Sequence, residues 1–109
     1  MTRTPVVVFL HGFLGSSGDW RDTIAHLADR CYCIAVDLPG HGRTPCDLDT
    51  FDEVCDHIIE TVASLNCTDV VLVGYSMGGR LALNSVLRSP QSFRMLVLES
   101  ASPGLPSVE

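Results

Sequence analysis

The chain has 109 residues, of which 46% are hydrophobic and 18% charged, and its 7 basic against 13 acidic residues give a formal net charge of -6. That length suits one domain or part of one with a buried core, and it excludes a multidomain assembly and a disordered chain. The acidic balance provides no general attraction to nucleic acid or to an anionic membrane, so neither is expected as a partner.

No targeting segment is evident in the sequence. The residues before the first apolar run lack the core of a secretory signal, and no run is long enough to cross a bilayer. We therefore expect a cytoplasmic protein without membrane insertion; a plastid location applies only if a transit peptide or fusion partner is missing. The five cysteines follow no zinc-ligand spacing, which favours reduced thiols packed as small apolar side chains. No metal or cofactor is expected, since no ligand cluster or phosphate loop appears.

The first half of the chain predicts two strands separated by a helix. Val6–Leu10 is a short run that is apolar on both faces, as expected for a buried parallel strand. Apolar residues then recur at helical spacing over residues 20–28, with Ser17 and Asp19 as candidate N-caps. The first of these, a tryptophan, is assigned to the core. A second apolar run, Tyr32–Val36, predicts the next strand.

The second half continues the alternation. Thr50-x-x-Glu53 has the form of a capping box and opens a predicted helix whose apolar residues recur at steps of 3, 4, 4 and 3. A third strand over Val70–Val73, a third helix over Met77–Arg88 and a fourth strand over Met95–Leu98 follow. Strands that alternate with helices predict right-handed crossovers and an α/β fold, in which helices cover both faces of one parallel sheet.

One motif carries candidate chemistry. Gly74-Tyr75-Ser76-Met77-Gly78 has the pattern G-x-S-x-G and lies directly between a predicted strand and a predicted helix. A serine at such a turn is forced toward unfavourable backbone angles, so the residues two positions away must be small. Its hydroxyl then lies at a helix N-terminus, which favours developing negative charge. We predict that Ser76 is the catalytic nucleophile; a purely structural turn is the alternative.

A second candidate segment follows the first strand. His11-Gly12-Phe13 lies at the carboxyl end of that strand, where open α/β sheets bind ligands. The backbone N–H groups of Phe13 and Met77 are predicted to converge on one oxygen and form an oxyanion hole. With Gly12, His11 is predicted to order this loop through its ring nitrogens rather than to act as the base. The histidines at positions 26, 41 and 57 are assigned to surface or structural positions.

Three motifs together resemble those of the α/β-hydrolase superfamily: HGF after the first strand, DLPGHG after the second and GYSMGG at the turn. The resemblance extends over essentially the whole chain. It implies a triad in the chain order serine, acid, histidine, and it places the acid and the histidine beyond Glu109. We therefore expect residues 1–109 to be the N-terminal part of a single α/β-hydrolase domain, truncated before the lid and last strands. Its partner is the missing C-terminal half, without which we expect little or no activity.

A finer resemblance involves HGFLGSSGDW, DLPGHGRT, GYSMGGRLAL and LESASPGL, which together are similar to the 2-succinyl-6-hydroxy-2,4-cyclohexadiene-1-carboxylate synthases of menaquinone and phylloquinone biosynthesis. That resemblance implies a C–O lyase that removes a proton from a small polycarboxylate substrate and expels pyruvate, with the triad acting as base. No cofactor is implied.

Two residues near the serine are candidates for substrate binding. Arg80 lies about one helical turn after Ser76, so its guanidinium is placed to bind a substrate carboxylate; a surface or ion-paired arginine is the alternative. Tyr75 either donates its hydroxyl to substrate or packs. Glu99 ends the fourth strand, where a supporting or structural role is favoured over that of triad acid.

The sequence leaves two alternatives to the lyase. A carboxylic ester or thioester hydrolase shares the scaffold, and replacing Arg80 would separate it from the lyase, because a neutral acyl pocket needs no guanidinium. The third reading is a non-catalytic truncated chain, for which the evidence is the lack of a suitable triad histidine within the 109 residues.

Overall fold

The computed structural model describes residues 4–12, 15–38, 51–67 and 69–100. Four parallel strands form one sheet in the order β2-β1-β3-β4: β1 (Val6–Leu10), β2 (Tyr32–Val36), β3 (Val70–Tyr75) and β4 (Met95–Glu99). The helices are α1 (Arg21–Leu27), α2 (Phe51–Ala63) and α3 (Met77–Arg88), with 3-10 turns at Ser17–Trp20 and Pro90–Ser92. In these ranges, no helix combines the length and apolarity that crossing a bilayer would take.

The central strand β1 is apolar on both faces because both are covered. Val7 and Phe9 belong to a cluster with Trp20 on the α1 side, where the Phe9 and Trp20 ring centroids lie 4.9 Å apart. Val8 and Leu10 alternate to the opposite face and join the larger cluster built with α2 and α3. The predicted parallel sheet with helices on both faces is therefore confirmed, and the tryptophan is buried.

The start of the first helical segment differs from the sequence prediction. Ser17 and Asp19 are the wrong N-cap candidates: the N-cap is Ser16, whose hydroxyl accepts the Gly18 N–H at 3.3 Å. Asp19 reaches back and accepts the Ser16 N–H at 3.2 Å, so the two side chains form a reciprocal capping box. The capping box predicted at Thr50 lies outside the described residues.

The four described cysteines, at positions 31, 33, 55 and 67, are free thiols; Cys46 lies outside the described residues. Cys55 is fully buried, with its Sγ 3.8 Å from the carbonyl oxygen of Leu81 on α3. Burial raises the pKa of the Cys55 thiol, and burial together with neighbouring Cys31 raises the pKa of Cys33. Because the thiolate is the reactive form, these shifts disfavour nucleophilic or metal-binding chemistry at the two positions.

The edge strand β4 exposes apolar side chains. Met95, Val97 and Leu98 are 54%, 41% and 39% exposed, and β3 is the one described strand that pairs with β4. An unpaired strand edge presents free main-chain donors and acceptors to another chain, and the apolar side chains add a driving force for association.

We expect the 109-residue chain to self-associate through this edge. Val97→Lys should shift the association equilibrium toward monomer, because an edge lysine must be desolvated when strands pair. Sedimentation velocity at several concentrations measures the effect. Leu87→Lys is the matched control, since Leu87 is 69% exposed but lies on α3, away from the edge. A monomeric unmodified chain, or an equal response to both lysines, would contradict this assignment.

Candidate active site

Ser76 occupies a strained turn between β3 and α3. Its backbone angles are φ 55° and ψ -115°, a region that residues other than glycine rarely adopt. Three main-chain hydrogen bonds hold the turn. The Ser76 N–H donates to the Glu99 carbonyl of β4 at 3.0 Å, and the Ser76 carbonyl accepts the N–H groups of Gly79 at 2.9 Å and Arg80 at 3.1 Å. The serine is thus fixed from the neighbouring strand and from its own helix.

The two glycines of the motif lie where the chain has no room for a side chain. A Cβ at Gly74 would come within 2.5 Å of the Gly78 carbonyl oxygen and 2.6 Å of the Gly79 Cα. A Cβ at Gly78 would overlap the carbonyl oxygens of Leu10 and His11, at the end of β1. The close approach of α3 to the sheet, and with it the turn, depends on both positions remaining glycine.

His11 links the loop after β1 to the loop after β2. Its buried ring accepts the Leu38 N–H at Nε2 over 3.0 Å, which leaves the proton of the neutral ring on Nδ1. Nδ1 lies 2.8 Å from the Gly12 carbonyl oxygen and donates to it. Asp37 adds a second link between the loops by accepting the Ser17 N–H at 2.6 Å. Both ring nitrogens of His11 therefore contact backbone.

Gly12 brings the first loop against the Ser76 turn. A Cβ at Gly12 would lie 3.1 Å from Cδ2 of Tyr75 and 3.5 Å from the Ser76 Cβ, so loop and turn nearly touch. Phe13, predicted to contribute one N–H of the oxyanion hole, lies outside the described residues. Met77 is the first residue of α3, where helical N–H groups lack an intrahelical partner and are open to an anion.

A cavity of about 290 Å³ lies at the carboxyl ends of the strands, against the start of α1. The described residues that line it are His11, Gly12, Asp19, Trp20, Thr23, Tyr75 and Glu99. The sequence analysis missed Asp19 and Thr23 as lining residues, and it assigned Trp20 to the core alone, whereas this buried side chain also lines the cavity. The Ser16-x-x-Asp19 capping pattern directly after the first loop is the signal that could have placed Asp19 here. Within the described ranges, no group of three or more His, Cys, Asp or Glu side chains could hold a metal ion.

Arg80 is not among the described residues that line this cavity. Its side chain is exposed, and its Cζ lies 5.8 Å from the ring centroid of Phe51 at the start of α2, a cation–π contact. The structure thus brings His11, Gly12 and Tyr75 together beside the turn, whereas the guanidinium lies on the α2 side of α3.

Comparison with known proteins identifies the scaffold. The family model described as alpha/beta hydrolase fold matches residues 5–108. The 2-succinyl-6-hydroxy-2,4-cyclohexadiene-1-carboxylate synthase of Escherichia coli O1:K1 / APEC is 40% identical over 108 residues, which are 96% of this chain and 42% of that protein. The chain thus spans about two fifths of the length of the curated relatives it matches.

Two solved structures are similar to this chain. The structure of MenH from S. aureus matches with a TM-score of 0.87 and 34% identity, and the matched region is 98% of this chain and 41% of the MenH chain. A marine microorganism esterase has a TM-score of 0.87 and 27% identity, with 99% and 41% covered. Proteins named for different activities therefore share this arrangement of strands and helices, so the fold does not by itself decide the reaction.

Proposed function

The chain belongs to the alpha/beta hydrolase fold family, and from that membership we propose that it forms the serine-bearing half of a lyase that eliminates pyruvate from a small polycarboxylate in menaquinone or phylloquinone biosynthesis. The observation that carries the proposal is 40% identity, over 96% of the chain, to a 2-succinyl-6-hydroxy-2,4-cyclohexadiene-1-carboxylate synthase. The triad acid and histidine are proposed to come from the remainder of the domain, which is the partner that this half requires.

In the proposed reaction, the histidine takes the proton of the Ser76 hydroxyl, and Ser76 Oγ removes a proton from a substrate carbon. The electron pair moves onto a substrate oxygen, which the N–H groups of Phe13 and Met77 stabilise as an enolate-like anion. The electron pair then returns to form a carbon–carbon double bond as the adjacent C–O bond breaks. The leaving enolate takes the proton held by the histidine to become pyruvate, and Ser76 keeps the substrate proton as its hydroxyl. His11 and Gly12 are proposed to hold the first loop so that the Phe13 N–H keeps its position.

Arg80 and Tyr75 are proposed to bind the substrate. The Arg80 guanidinium is exposed and stacked on Phe51, which orients it and leaves its N–H edge available to a carboxylate. The half-exposed Tyr75 lines the cavity directly beside the serine, where its hydroxyl can donate to substrate.

The test is pyruvate release by the full-length native protein from the succinyl-bearing substrate of its synthase relatives. Arg80→Gln should raise KM about tenfold or more with a smaller change in kcat, because a charge-assisted contact to the bound carboxylate is lost. Arg88→Gln is the matched control, since Arg88 lies on the same helix and pairs with Asp52 and Asp56 of α2.

A hydrolase is the second candidate, and the likeness to the marine esterase supports it. Rapid turnover of a short neutral ester without pyruvate release, unaffected by Arg80→Gln, would establish it in place of the lyase. Turnover of neither substrate by the full-length protein would favour the non-catalytic reading.

A further inference from the structure

The charged residues in the described part of the cavity wall are Asp19 and Glu99, and both are acidic. Asp19 lies in the 3-10 turn before α1, and Glu99 ends β4 opposite Tyr75 in the sheet register. The described lining includes no lysine or arginine, and His11, which also lines the cavity, has both ring nitrogens bonded to backbone. A ligand in this cavity therefore meets two carboxylates without a nearby cation from the described part of the wall.

This charge pattern favours uncharged ligand groups over anionic ones in the cavity. A ligand carboxylate would be repelled by both acids. Because the side chains of Asp19 and Glu99 are exposed, solvent screens this repulsion, and we expect a severalfold effect on affinity rather than complete exclusion. An uncharged hydroxyl can instead donate to a carboxylate and accept from the hydroxyls of Thr23 or Tyr75, which also line the cavity. The guanidinium of Arg80 lies elsewhere, against Phe51.

Asp19 and Glu99 differ in the other contacts that their side chains make. The Asp19 carboxylate accepts the Ser16 N–H and completes the capping box of the 3-10 turn, so its replacement would also disturb the fold. The side chain of Glu99 makes no hydrogen bond or ion pair with any described residue, whereas its backbone carbonyl accepts the Ser76 N–H. A change confined to the Glu99 side chain therefore leaves the turn's main-chain contact in place.

We propose that this cavity is an anion-disfavouring subsite in which Glu99 selects the uncharged, hydroxyl-bearing part of the substrate, while the substrate carboxylates bind on the Arg80 side. The inference rests on the proposed function in that it takes Ser76, beside the cavity, as the reacting centre. It assigns the orientation of the substrate: hydroxyl toward β4 and α1, carboxylates toward α2.

Benzoate and benzyl alcohol, which share a ring and differ in charge, test this subsite by ligand-observed NMR titration of the full-length protein. The titrations use the Arg80→Gln background, so that the guanidinium proposed for carboxylates cannot bind benzoate. We expect benzyl alcohol to bind about fivefold more tightly than benzoate. Adding Glu99→Gln should tighten benzoate binding about threefold to tenfold and change benzyl alcohol binding less than about twofold.

Glu60→Gln is the control, because it makes the same charge change at an exposed position of α2, on the opposite face of the sheet. Three results would overturn the proposed subsite. Benzoate could bind as tightly as benzyl alcohol, or more tightly, before Glu99 is changed. Glu99→Gln and Glu60→Gln could change benzoate binding equally, or neither probe could bind. The titrations involve no turnover. Preferential binding of benzyl alcohol by a protein that releases no pyruvate would therefore support the proposed subsite and contradict the proposed lyase activity.

Discussion

Ser76→Ala should lower kcat of the full-length native protein for pyruvate release by at least about 10³-fold, with KM nearly unchanged. The proposed base is the Ser76 hydroxyl, and no other described side chain lies in the same strained turn between β3 and α3. Alanine meets the same backbone strain at φ 55° as serine, so the turn and its contacts to Glu99 and Arg80 should persist.

Ser85→Ala is the matched control for this loss, since Ser85 is a buried serine on the same helix, more than two turns beyond the site. It should keep full activity, and both variants should melt within about 2 °C of the unmodified protein. If the Ser76 variant turned over substrate at the unmodified rate, the serine would be a structural turn residue and the triad reading would be wrong.

Gly78→Ala should destabilise the fold by about 3 kcal/mol, at the upper end of the usual cost of overpacking. The new Cβ would overlap the carbonyl oxygens of Leu10 and His11, and the obstruction is backbone rather than a flexible side chain. Leu10 is also paired in register with Val36 of β2 and Gly74 of β3, so β1 cannot move aside without breaking the ladder on both sides. Urea denaturation measures the loss, which corresponds to a fall in Tm of about 12 °C or more.

Gly18→Ala makes the same substitution at an exposed glycine, where a Cβ would lie 3.5 Å from the Ser16 Oγ and 3.7 Å from Arg21 Nη2. These are ordinary van der Waals separations, so its stability should change by no more than about 0.5 kcal/mol. Equal stability of the two alanine variants would show that α3 can move off β1, and the close packing of α3 would not then fix the position of Ser76.

The sheet and its order of elements followed from apolar runs, with the bounds of β1, β2 and α3 matching the structure. β3 and β4 extend to Tyr75 and Glu99, beyond their predicted ends. The reason is physical: these last residues pair through main-chain hydrogen bonds, and a glycine or a charged residue at a strand end carries no apolar signal for them.

The sequence predicted those parts of the candidate site that directly follow a strand in the chain. The turn at Ser76 and the neighbouring loop at Gly12 both follow strand ends, which meet at one edge of a parallel sheet. The walls contributed by Asp19 and Thr23 depend on how α1 approaches that edge. The direction of Arg80 depends on its contact with Phe51 of another helix. Spacing along one helix determines neither of these tertiary contacts.

The bond from the Ser76 N–H to the Glu99 carbonyl has a thermodynamic consequence, because its acceptor belongs to the edge strand of the sheet. Fraying of β4 releases this amide and lets the positive-φ residue relax toward an ordinary backbone conformation. Segments with few buried contacts open locally at a lower free-energy cost than core strands. Any segment that covers β4 therefore also stabilises the serine turn by linkage. The strained conformation of Ser76 and the pairing of β4 are therefore coupled to each other.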